Sequence, residues 1–260
     1  MTSQGLAITV GYFLSFIGVA ILIATDARDI LMLAIYSICV YYVIYDAIFS
    51  LEQQFTITFN QDVLNPLLEN TTFAGHTLKD LVGIKINFKE RYKLDELKDI
   101  TLVVENKSDH CTIYLDWDYS SITDLAKQPR RVIRVRPGVT FDLFQPQVFT
   151  IVAPKQTLRS TLVVEDMFKR KTDDGALAPD GLLIDIVYLN REKATKDEKK
   201  RFADFMNEKA SLEFALRLAL RVFDPLSNEE SHRYYLPCEF KITKLNWQAF
   251  LPWNQKKKPF

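Results

Sequence analysis

Glycine is scarce in this chain, at eight of 260 residues, which leaves little room for a glycine-rich loop that cradles phosphate on backbone N–H groups. Cysteine is scarcer. Cys39, Cys111 and Cys238 lie far apart with no CxxC spacing, and His76, His110 and His232 have no ligand spacing among them, so neither set forms a metal motif. A basic excess is also missing, since 33 Lys and Arg balance 33 Asp and Glu. Broad nucleic-acid binding needs a concentrated positive surface to displace counterions from phosphate, so that class is set aside. The expectation is no cofactor, no metal and no catalytic residue.

Charge is absent altogether from one stretch. Leu6 to Ala24 reads LAITVGYFLSFIGVAILIA, nineteen uncharged residues, enough to cross a hydrocarbon layer of ~30 Å at ~1.5 Å per residue. Met1–Gly5 has no basic residue and a second apolar run follows directly, both of which count against a cleaved signal peptide. After the turn Thr25-Asp26-Ala27-Arg28-Asp29, that second run extends from Ile30 to Tyr45 and on to Phe49. The expectation for residues 1–52 is therefore a transmembrane helical hairpin, with helices at about 6–24 and 30–49. Gly11, Ser15 and Gly18 recur at helical spacing and give the first helix a small-residue face for close helix packing.

Residues 1–52 hold one basic group, Arg28, against Asp26, Asp29, Asp46 and Glu52, which leaves 32 basic and 29 acidic groups for residues 53–260. That remainder reads as one water-soluble domain without a Gly/Ser linker. Period-two alternation marks strands at Phe55–Phe59, Ile84–Phe88 and Thr112–Trp117, with further strands expected at Ile100–Glu105, Arg131–Val135, Thr157–Asp166 and Leu182–Leu189. The segment 212–222 has helix-forming composition but strand periodicity: Leu212, Phe214, Leu216, Leu218, Leu220 and Val222 share one face only if it is extended. A last strand includes Phe240, Ile242 and Leu245, and short helices fall within Gln61–Glu69 and Lys196–Lys209. Short strands at regular spacing point to a membrane-anchored, mainly-β protein whose domain is an immunoglobulin-like β-sandwich.

Few residues suggest chemistry. Asp109-His110-Cys111 concentrates reactive types, but adjacent strand residues face opposite ways, so it reads as a polar turn before a core cysteine. Cys111 and Cys238 suit either a disulfide or two buried free thiols. Asp116 and Asp118 flank Trp117 and read as an acidic strand face over a core tryptophan. Asn70-Thr71-Thr72 and Asn106-Lys107-Ser108 are glycosylation triplets only in a glycosylating lumen. The main recognition candidate is the run from Lys127 to Arg136, where Arg130, Arg134 and Arg136 share a face if extended; they meet a partner's carboxylates or lipid phosphates, or pair with acidic groups of their own domain. At the C-terminal end, Trp247, Phe250 and Trp253 precede Lys256, Lys257 and Lys258, a combination suited to an anionic leaflet, and this favours the cytoplasmic face for the domain.

The sequence thus leads to a multi-pass, membrane-tethered, non-enzymatic binding or scaffold protein that docks its β domain on a membrane protein complex. The alternative is a lipid-interacting or membrane-shaping protein acting through the aromatic and basic tail.

Overall fold

The computed structural model describes residues 27–136, 145–170, 177–227 and 231–246. The chain divides into two units, residues 1–54 with 245–260 and residues 55–244, each taken by itself.

In the first unit, α1 spans Ala27–Glu52, 26 residues, or about 39 Å of helix. It covers the second apolar run and extends it by about one turn at either end. Its window Arg28–Asp46 is long and apolar enough to cross a membrane, the one such helix among the described residues; signal sequences share that length and composition. Leu31, Met32, Ile38, Tyr42 and Val43 are largely exposed. The first apolar run, with Gly11, Ser15 and Gly18, lies outside the described residues, as does the tail from Trp247 to Phe260.

The second unit is mainly β. Its early strands are β1 (Gln54–Asn60), β2 (Thr72–Phe73), β3 (His76–Thr77), β4 (Val82–Asn87), β5 (Tyr92–Lys93) and β6 (Ile100–Asn106). Then follow β7 (Thr112–Thr123), β8 (Pro129–Val135), β9 (Thr150–Val152), β10 (Thr157–Val164), β11 (Phe168–Arg170), β12 (Leu177–Pro179), β13 (Leu212–Phe223) and β14 (Arg233–Lys244). Helices α2 (Leu64–Asn70), α3 (Leu78–Leu81) and α4 (Lys196–Met206) complete it, with short 3-10 turns at Glu165–Met167 and Val187–Asn190. Ten strands form one sheet in the order β4-β6-β10-β8-β7-β13-β14-β1-β5, with β9 paired to β7; β2-β3 and β11-β12 are separate hairpins.

The sheet is antiparallel and curled into a half-barrel, where the strand spacing leads to the expectation of an immunoglobulin-like sandwich. Two features bend it. Strand β8 changes neighbour midway, pairing through Pro129–Arg131 with β7 and through Val132–Val135 with β10. Strand β7 carries a bulge: Arg217 of β13 faces Ser121 while Ala219 faces Asp116, so Leu218 spans the four residues from Trp117 to Ser120. Ser120 stitches the bulge, its Oγ accepting from Ala219 N at 3.0 Å and donating to Asp116 O at 2.7 Å. Such bulges sharpen local twist and re-aim side chains.

The alternation over 212–222 holds: all six residues named for one face of β13 are buried. They pack with Phe55, Phe240 and Trp117, each nearly inaccessible, and Phe240 lies 4.7 Å from Phe214 and 5.5 Å from Phe59 between ring centroids. Trp117 donates Nε1 to Thr150 Oγ1 at 2.9 Å, so its one polar atom is satisfied in the core. Helix α4 begins with a capping box between Thr195 and Glu198.

The strand expected at Leu182–Leu189 does not form. Leu183, Ile184, Ile186 and Leu189 are buried at irregular spacing, Leu183 N donates to Leu97 O at 2.8 Å, and the segment closes in the 3-10 turn. Apolar burial there is met without a ladder partner.

Candidate functional site

The site grows out of the bulge. On the solvent side of β7, β13 and β14, the register sets Arg221 between Tyr114 and Arg233, and Ala219 between Asp116 and Tyr235. Asp116, nearly buried, accepts from Arg233 at 3.1 Å and lies 4.0 Å from Arg221. The bulge carries Tyr119 outward beneath Arg233, whose guanidinium sits 3.6 Å from the ring centroid. Arg217 stacks on Tyr235 at 4.1 Å and Arg221 reaches the Phe149 ring at 6.0 Å, while Phe149 packs edge-on to Tyr114 at 5.6 Å. Tyr119, Phe149, Ile151 and Tyr235 stay exposed around these contacts.

Arg221 and Arg233 therefore share the Asp116 carboxylate, with Arg217 stacked alongside on Tyr235, and this group of three arginines and one aspartate carries about two positive charges. Stacking on rings holds a guanidinium flat and leaves its donor edge free for carboxylate oxygens, and exposed Tyr with Arg is the composition of interface hot spots. A shallow depression of about 440 Å³ elsewhere on the unit is lined by Thr58, Asn60, Glu213, Glu239 and Lys241 among others; no His or Cys borders it.

Two of the three arginines singled out from sequence, Arg130 and Arg134, are engaged within the domain. Arg130 donates to Asp166 at 3.0 Å and to Leu183 O, and approaches Asp124 at 4.0 Å. Arg134 donates to Thr150 Oγ1 and lies 6.0 Å from the Trp117 ring; burial, with the charge of Arg136 beside it, lowers its pKa. Arg136 is exposed just past the end of β8. Between them Arg131 holds Asp118 at 2.6 Å and Glu165 at 3.6 Å. Burial pushes the Asp118 carboxyl up, but hydrogen bonds from Arg131 and Gln147 outweigh it and hold the group below its ordinary value. Asp116 and Asp118 thus serve different arginines and do not form the acidic strand face expected for a regular strand.

The sequence offered one signal for the face that went unread. Arg217 and Arg221 alternate with the buried leucines of β13, so they point to solvent wherever the period is two. Tyr119 and Arg233 had no such signal, because the bulge and the pairing of β14 bring them together.

His110 and Cys111 precede β7 and are not in the strand, so their side chains do not diverge. Both approach Asp224, with His110 Nε2 3.4 Å from Asp224 Oδ2, and one ligand atom from each of the three lies within 4.8 Å of the others. Burial and Asp224 raise the Cys111 pKa against a hydrogen bond to Ser108, a setting that disfavours the thiolate nucleophile. Cys111 and Cys238 are both buried free thiols. Asn106 is 1% exposed and donates Nδ2 to Cys111 O and Val152 O, so this triplet asparagine is a structural clamp closed to glycosylation in the folded domain. Compared with known proteins, the chain matches no family model, no curated protein and no solved structure.

Proposed function

We propose that the protein is a membrane-tethered binding or scaffold protein whose β domain docks an acidic segment of a neighbouring membrane protein on the face formed by Arg217, Arg221, Arg233, Tyr119 and Tyr235. The observation that carries this reading is the aromatic-backed arginine cluster with a single carboxylate, Asp116, inside it. In this proposal the hairpin of residues 1–52 holds the domain at the cytoplasmic side of the bilayer. Tethering raises the local concentration of a weak partner, so a modest interface suffices. Carboxylates of the partner meet the exposed Arg217 and the accessible parts of the half-buried Arg221 and Arg233, and its apolar side chains cover Tyr235, Tyr119 and Phe149.

The test is a photo-crosslinking residue placed at Tyr235 in the full chain in native membranes. The expected result is one discrete protein adduct whose crosslinked peptide is rich in Asp and Glu, and its disappearance with Arg217→Glu. Adducts with phospholipid alone would replace this reading with the lipid-interacting one, in which Trp247, Phe250, Trp253 and Lys256–Lys258 do the work.

A further inference from the structure

The loop entering β7 and the chain leaving β13 meet at a second, unrelated cluster. Pairing of Phe223 with Thr112 closes the β13–β7 ladder, and one step further sets Asp224 beside Cys111. The approach is fixed from both sides. Cys111 O accepts from Asn106 Nδ2 at 2.8 Å and from Ser108 Oγ at 2.9 Å, while Asp224 Oδ1 accepts from Leu226 N at 2.9 Å. That turn leaves Oδ2 aimed at His110. The Cys111 side chain and Asp224 are almost fully buried, and the His110 side chain is 35% exposed, so the cluster has one solvent-facing side.

We propose that His110, Cys111 and Asp224 form a binding site for a divalent cation of the zinc class. Imidazole nitrogen, thiolate sulfur and carboxylate oxygen are the donor types such ions take, at about 2.0–2.3 Å. A tetrahedron with arms of that length has edges of about 3.3–3.7 Å, and the His110 Nε2 to Asp224 Oδ2 separation of 3.4 Å falls on such an edge. The charges also fit. A buried carboxylate beside a thiolate is repulsive by itself, whereas a dication neutralises both. Binding removes the Cys111 proton, which passes to buffer, and leaves the imidazole neutral; the fourth position faces solvent on the His110 side and takes water. A bound cation there would staple the β6–β7 loop to the end of β13.

Cobalt(II) is the probe, added to the untagged full chain in detergent with Cys39→Ser and Cys238→Ser, so that Cys111 is the only thiol. The expected result is saturable binding of one ion per chain, a thiolate-to-cobalt charge-transfer band, and displacement by zinc. Cys111→Ser removes that band, and His110→Gln or Asp224→Asn weakens binding by at least about tenfold. Circular dichroism checks that each variant is folded. Absence of saturable binding by the parent chain overturns the proposal whatever the variants do, and so does binding that a folded His110→Gln protein retains in full.

Discussion

Two groups of arginines sit on the same curled sheet and behave in opposite ways. Those of β8 are turned toward their own domain, Arg130 to Asp166 and Leu183 O, Arg131 to Asp118, Arg134 to Thr150. Those of β13 and β14 lie on or beside aromatic rings, and two of them, Arg221 and Arg233, share Asp116. The difference teaches that a basic run in sequence locates charge but not its availability. Availability is set by register and by what the neighbouring strand places opposite.

The comparison breaks most severely at the buried tryptophan beneath the β8 group. Trp117→Ala removes the buried side chain that Arg134 covers and one of the two donors to Thr150 Oγ1, and a loss of about 3–5 kcal/mol is expected in denaturant unfolding of the full chain. Asp118→Asn comes next. It leaves the partly buried Arg131 with a weaker acceptor, at a cost of about 1–3 kcal/mol. Because the folded-state pKa of Asp118 is depressed, its stabilisation is complete above the unfolded value of about 3.9 and is lost as pH falls through the lower folded value. The unfolding midpoint of the variant should therefore fall less steeply in that acid window than the parent's. Thr195→Ala, away from both groups, removes one side of the α4 capping box and should cost about 1 kcal/mol. Arg217→Ala should change stability by less than about 0.5 kcal/mol, since it removes an exposed stacking contact and no buried ion pair.

Thiol chemistry sharpens the picture of the core without touching either arginine group. Burial pushes the Cys238 pKa up to about 12, so an impermeant thiol reagent should leave it unmodified near neutral pH until the domain is unfolded.

Much of the β domain was legible because its strands have one buried face. In β13 and β1 the period of two follows directly from that. Less legible was the early half of β14, where Pro237 interrupts the pattern; it is tolerated because β14 pairs with β1 only from Glu239 onward, so before that point its β1 side has no ladder to break. Leu182–Leu189 misled because apolar content reports burial, not pairing. The candidate sites were the least legible. Tyr119 meets Arg233 only through a bulge, and His110 and Cys111 meet Asp224 only through a ladder that joins residues more than a hundred positions apart. Long-range register of this kind has no local signature.

The most direct test of the account applies two readouts to two charge reversals, Arg217→Glu and Arg131→Glu, in the full chain carrying the crosslinker at Tyr235. The account predicts a crossed result: Arg217→Glu keeps the parent's melting temperature and loses the protein adduct, while Arg131→Glu melts several degrees lower and, below its transition, keeps the adduct. An adduct that survives Arg217→Glu and vanishes with folded Arg131→Glu would contradict it, placing the interface on the arginines of β8.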